Sequence, residues 1–156
     1  MNVFIASDHA GFDLKNQIIL NLKNQTENRT DKQAINIFDL GPFNTESVDY
    51  SDYANLVCLK MNDPKKSSLT DFGILICGSG QGMALRANKF LNIRAALVYN
   101  DEIAKLSREH NNANIICLGS RFCSVENANK WINIFTNTDF SEGRHRQRVD
   151  KISQST

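Results

Sequence analysis

Residues 72–85 read FGILICGSGQGMAL. A β-branched apolar run closes on Cys77, and a loop holding Gly78, Gly80 and Gly82 follows without a spacer. A short apolar run turning through glycines into MALRANKF predicts a buried strand that feeds a helix. The same alternation recurs outward in both directions. Apolar runs at 3–6 (VFIA), 35–40 (INIFDL), 94–99 (RAALVY) and 114–119 (NIICLG) predict four more strands. Helical patterns occupy 12–24, 50–61, 82–90, 101–110, 125–137 and 142–152. Strands separated by helices require right-handed crossovers, hence one parallel sheet covered on both faces. The expected class is α/β, a Rossmann-like three-layer sandwich with a five-stranded parallel sheet. The polar stretches 24–34 and 62–71 (with Pro64) read as structureless surface connections.

The 156 residues suit a single domain ending in a helix at about 142–152. Hydrophobic content of 41%, charged content of 22% and a net charge of +1 are those of a globular protein. They give no electrostatic footprint for nucleic acid or an anionic membrane. No apolar run approaches the ~20 residues of a membrane span, and Asp8 and His9 interrupt the apolar start too early for a signal peptide. Cys58, Cys77, Cys117 and Cys123 form no CxxC pair and no zinc spacing. A cytoplasmic protein with reduced cysteines is expected.

Ligands of open parallel sheets bind beyond the carboxyl ends of the strands. There the sequence places SDHAG (7–11), CGSGQG (77–82) and GSR (119–121). A glycine loop opening a helix favours an anion. A tight turn that merely needs small residues would explain one glycine more easily than three. A Walker loop is excluded, since no lysine lies between the glycines and Lys89. Gly78, Gly80 and Gly82 are spaced GxGxG rather than GxGxxG, so only a weak nucleotide reading survives, with Asp101 as its acid. A cysteine phosphatase needs an arginine where Met83 stands. Cys77 is then either a packed strand residue or a base, because a helix N-terminus favours the thiolate. Arg144 and Arg148, four apart, form either a phosphate clamp or a solvated basic face.

Taken together, ASDHAGF (6–12), DYSDYA (49–54), GILICGSGQGMALRANK (73–89), IRAAL (93–97), SREHNNANIICLGSR (107–121) and GRHRQRV (143–149) resemble the type B ribose-5-phosphate isomerases. These belong to the wider family of ribose and galactose phosphate isomerases. The resemblance implies interconversion of ribose 5-phosphate and ribulose 5-phosphate through a cis-enediol, in the pentose phosphate pathway, without metal or cofactor. It implies that Cys77 is the base and that Ser79 and His110 open the sugar ring. Gly78, Gly80 and Gly82 would hold the enediolate oxygen. Asp8 and Asn111 would hold sugar hydroxyls with Tyr50 beside them, and His9, Arg121, Arg144 and Arg148 the phosphate. Relatives without the cysteine carry a glutamate at the place of Met83. Ser51 and Asp52 replace a Pro-His found in some relatives.

Allose 6-phosphate and galactose 6-phosphate are the alternative substrates. The His110 segment and the terminal Arg-His cluster favour the five-carbon sugar. A non-catalytic nucleotide or phosphosugar module would need the glycine loop and the arginines, but not Cys77 with His110. A helix from Asp101 to His110 carries His110 about 15 Å back toward the amino edge of the sheet. A homodimer with shared active sites, or a tetramer built from it, is therefore expected.

Overall fold

The computed structural model describes residues 1–27, 35–62 and 70–152. In chain order these form β1 (Asn2–Ser7), α1 (Phe12–Glu27), β2 (Asn36–Asp39), α2 (Tyr50–Met61) and β3 (Phe72–Cys77). There follow α3 (Gln81–Ala87), β4 (Ala95–Leu97), α4 (Asp101–Glu109), β5 (Ile115–Gly119), α5 (Val125–Thr136) and α6 (Arg146–Ile152). Short 3-10 turns at His9–Gly11 and Gly143–His145 precede α1 and α6. Every strand pairing is parallel, in the order β2-β1-β3-β5-β4. The central strand β3 is buried along its whole length, as its unbroken apolar run requires.

Alternating side chains of the sheet feed two cores. Val3, Ile5, Ile74, Ile76, Ile116 and Leu118 pack under α1, α4 and α5 through Leu14, Ile18, Ala104, Trp131, Ile132 and Phe135. Phe4, Ala6, Leu75, Cys77, Ile115 and Cys117 pack under α2 and α3 through Ala54, Val57, Met61, Met83 and Ala87. The period-two alternation of the strands thus produces the three layers.

The differences from the sequence expectation lie at element ends. Residues 24–27 are helical rather than structureless. Gln25 Nε2 donates to Asn21 Oδ1 and Thr26 Oγ1 to the Leu22 carbonyl, so the polar end of α1 is held by side chains. Positions 28–34 of that stretch, and 63–69 of the second with Pro64, lie outside the described residues. Asp71 is not a surface residue; it is 3% exposed and its Oδ1 accepts the Asn2 N–H at 2.9 Å. α3 stops at Ala87 because Asn88 turns away to bracket the edge of β4, donating to the Ala95 carbonyl and accepting its N–H. The terminal helix of 142–152 is split, since Glu142 and Gly143 take positive φ at the entry to the 3-10 turn and α6 begins only at Arg146.

Candidate active site

β1 lies where the strand order reverses, so the crevice opens between the carboxyl ends of β1 and β3. The Asp8 N–H donates to the Ile76 carbonyl at 3.0 Å, and Asp8 Oδ1 accepts the Gly11 N–H at 3.0 Å. The carboxylate is thereby held at the crevice floor, 7% exposed. His9 is exposed beside it, and its Nδ1 accepts the Val48 N–H at 3.3 Å. That bond assigns the ring proton to Nε2, a donor suited to an anion. Below this corner the fully buried Lys15 bonds Asp39 at 2.6 Å and the Pro42 carbonyl at 2.9 Å. The Gly41 carbonyl of the same loop accepts the Ser7 N–H. The half-buried ion pair thus ties the loop after β2 to the end of β1.

Cys77 closes β3, 5% exposed, with its Sγ accepting the Gly80 N–H at 3.1 Å. Its carbonyl accepts the Ser120 N–H, and the Gly78 carbonyl the Arg121 N–H, so the loops after β3 and β5 are joined. The glycines admit neighbours that a side chain would exclude. A Cβ on Gly78 would stand 3.2 Å from the Arg121 guanidinium carbon, and one on Gly82 only 2.6 Å from the Tyr50 ring. The Arg121 and Tyr50 side chains are therefore packed against the loop. Gly80 caps α3 at φ +75, where a Cβ would meet Leu97 Cδ1 at 2.5 Å and the Leu118 backbone at 2.9 Å. Gly80→Ala should cost roughly 2–4 kcal/mol, from left-handed strain plus overpacking. A urea midpoint equal to that of the wild type would contradict this. Ser79 is exposed at the loop tip, and its Oγ accepts the Gln81 N–H at 3.4 Å.

The other cysteines are chemically quiet. Burial pushes the Cys58 thiol up to about 12, and burial also raises Cys117 and Cys123. Cys123 Sγ further donates to the Gly119 carbonyl at 3.3 Å. Met83, at the place of the relatives' glutamate, is fully buried in the core beneath α3. The Asp101 carboxylate is engaged by Trp131 Nε1 at 2.9 Å and by Lys130, whose hydrogen bond is the main reason it is held below the usual carboxylate range. The nucleotide reading loses its acid.

The fold does not bring all the expected residues together. Asp8, His9, Tyr50, Cys77, Gly78, Ser79, Gly80, Gly82 and Arg121 meet at the carboxyl edge. His110, Asn111, Arg144 and Arg148 gather at the opposite edge. α4 starts from Asn100 beyond β4, and His110 caps its far end through an N–H bond to the Leu106 carbonyl. The Asn114 N–H then donates to the Arg94 carbonyl, just before β4 begins. One length of β5 separates the two groups, about 17 Å for five residues.

Sequence reasoning overlooked what shapes this second group. Arg108 Nη1 bonds Asn112 Oδ1 at 2.9 Å and the Ala113 carbonyl at 2.6 Å, while Arg94 Nε bonds the Asn112 carbonyl at 2.7 Å. These bonds hold Asn112 at φ 46 and so set the turn that presents Asn111. Phe72 and Phe135 flank the Arg108 guanidinium. The i, i+4 spacing of Arg108 and Asn112 was the available signal. His145 was seen only as part of a basic cluster, yet its ring stacks on His110 with centroids 4.2 Å apart.

The family model for ribose/galactose isomerases matches residues 3–152. The chain belongs to the ribose/galactose isomerase family. It is 43% identical over 152 residues to the probable ribose-5-phosphate isomerase B of Mycoplasma genitalium, covering 97% of this chain and 93% of that one. A crystal structure of a ribose 5-phosphate isomerase from Thermotoga maritima superposes with a TM-score of 0.87 at 40% identity, covering 97% of each chain. The Mycoplasma genitalium ribose-5-phosphate isomerase B, solved with bound ribulose-5-phosphate, gives 0.86 at 41% identity over 97% of this chain and 93% of that one. Family membership and the parallel α/β architecture therefore agree with the sequence reading.

Proposed function

We propose that this family member is an aldose–ketose isomerase acting on ribose 5-phosphate and ribulose 5-phosphate. The observation that carries the reading is Cys77 at the mouth of the glycine turn, with Asp8, Tyr50 and Arg121 around it. The Cys77 thiolate takes the proton from C2, and the thiol so formed, once exchanged with solvent, protonates C1 of the enediol. The negative charge that develops on the substrate oxygen is met by N–H groups of the loop and of the first turn of α3, where Gly82 and Met83 have no intrahelical acceptor. Asp8 and Asn111 hold sugar hydroxyls, with Tyr50 beside them. For the cyclic sugar, His110 protonates the ring oxygen as its bond to C1 breaks. The C1 hydroxyl gives up its proton to water with help from Ser79, leaving the aldehyde.

One sugar must meet both edges, so the site is completed by a second copy of the chain. The split of the residues supports this, as do the exposed Tyr99 and Phe122 beside Ser79. His9 and Arg121 come from one subunit, and Arg144 and Arg148 from the other. Four free cysteines fit a reducing cytoplasm, and among the described residues no helix is long and apolar enough to cross a membrane.

The decisive experiment is a coupled assay in EDTA with ribose 5-phosphate, allose 6-phosphate and galactose 6-phosphate side by side. Preference for either six-carbon sugar, or activity only after divalent metal is restored, would overturn the assignment. Arg144 is exposed and free of ion pairs among the described residues. Arg144→Ala should raise KM about 10- to 100-fold, the loss of a hydrogen bond to a charged group. An unchanged KM at low salt would return Arg144 to a solvated face.

A further inference from the structure

The ring of His110 is not held by its own helix alone. His145 lies against it with planes 5° apart and centroids 4.2 Å apart. His145 comes from the 3-10 turn Gly143–His145, whose approach to α4 is secured by the Ser141 N–H bonding the Glu109 carbonyl at 3.0 Å. It is buried together with Val149, one turn later, while Arg144 and Arg148 on the other face are exposed. One segment therefore sends two cations outward and an imidazole inward, onto His110.

Two imidazolium rings at that separation repel, so charging both rings of the stacked pair is disfavoured. The groups around it are Glu109 and His110 from α4, and Arg144 and Arg148 from the terminal segment. Loss of hydration first, then His110, Arg144 and Arg148, hold His145 below the ordinary imidazole range, against a smaller opposing pull from Glu109. His145 is thereby disfavoured as a cation. It covers one face of His110 and leaves the other face and the ring edge to the substrate.

We propose that His145 is a positioning residue for sugar-ring opening, its ring fixing the plane in which the His110 nitrogen meets the ring oxygen. This rests on the reading of His110 given above. Turning the His110 ring out of plane misplaces the proton donor without touching the base or the phosphate grip. The effect is confined to cyclic substrate. Ribulose 5-phosphate has its C5 hydroxyl esterified and cannot close a five-membered ring, so its enolisation needs no ring opening.

The test uses the full-length enzyme and two measurements. One is steady-state turnover of ribose 5-phosphate. The other is deuterium wash-in from solvent at C1 of ribulose 5-phosphate, followed by NMR. His145→Ala should lower kcat for ribose 5-phosphate about 10- to 100-fold, the scale of an ångström-sized misplacement, with KM little changed. His145→Phe, which restores a stacking ring without a titratable group, should recover most of the turnover. Wash-in should keep the wild-type rate in both variants. Wild-type kcat in His145→Ala would overturn the proposal, as would turnover and wash-in falling together, or no recovery with phenylalanine. Wild-type enzyme that neither turns over ribose 5-phosphate nor exchanges C1 of ribulose 5-phosphate would instead overturn the isomerase reading, and the positioning role with it.

Discussion

Cys77→Ala should lower kcat roughly 10²- to 10⁴-fold, the contribution of a positioned general base, with KM nearly unchanged. The side chain is small and lies at the end of a strand, and the Gly80 N–H it accepts belongs to a turn that Ser120 and Arg121 also hold. The fold should therefore survive, and a melting curve would verify that. Deuterium wash-in at C1 of ribulose 5-phosphate should vanish with turnover, since both pass through the same proton transfer. Substituting Cys58, Cys117 or Cys123 should move stability alone, because burial holds those groups as thiols near neutral pH. A Cys77→Ala enzyme with wild-type kcat would mean that the base lies elsewhere.

The second large effect is a gain. Cys77→Ala and His110→Ala enzymes should each be nearly inactive. Mixed in equal amounts, dissociated and reassociated, they should recover roughly a quarter of wild-type activity. About half of randomly paired dimers are mixed, and each mixed dimer carries one intact site of two. The expectation comes from the strand length that separates Cys77 from His110 within one chain. Activity no higher than the mean of the two parents, with mixed dimers confirmed by mass spectrometry, would exclude the shared site.

Much of this could be read without coordinates because it is local. The run from Phe72 to Gly82 specifies strand, turn and helix start through β-branched burial and glycine turn chemistry, and the fold contains them there. Helix periodicity over 50–61 gives α2 its bounds for the same reason. Ser79 and Cys77 are in sequence neighbours of the glycine turn, so their common location needed no tertiary information. Element ends were less legible, since they depend on side chains from elsewhere: Asn88 ends α3 because Ala95 happens to lie across from it.

Tertiary structure alone decided which side chains share a space. Nothing in the run NNAN states that Arg94 reaches Asn112, and nothing in GRHRQR states that His145 turns inward onto His110. Arg94 with Asn112 and His145 with His110 join segments well separated in the chain, through geometry set by the docking of α4 and the terminal turn against the sheet. The split of the candidate site between two edges follows from chain direction, which the sequence determined once it specified parallel strands with returning helices. Which ring covers His110 did not follow, because stacking depends on where two separately anchored backbones come to rest.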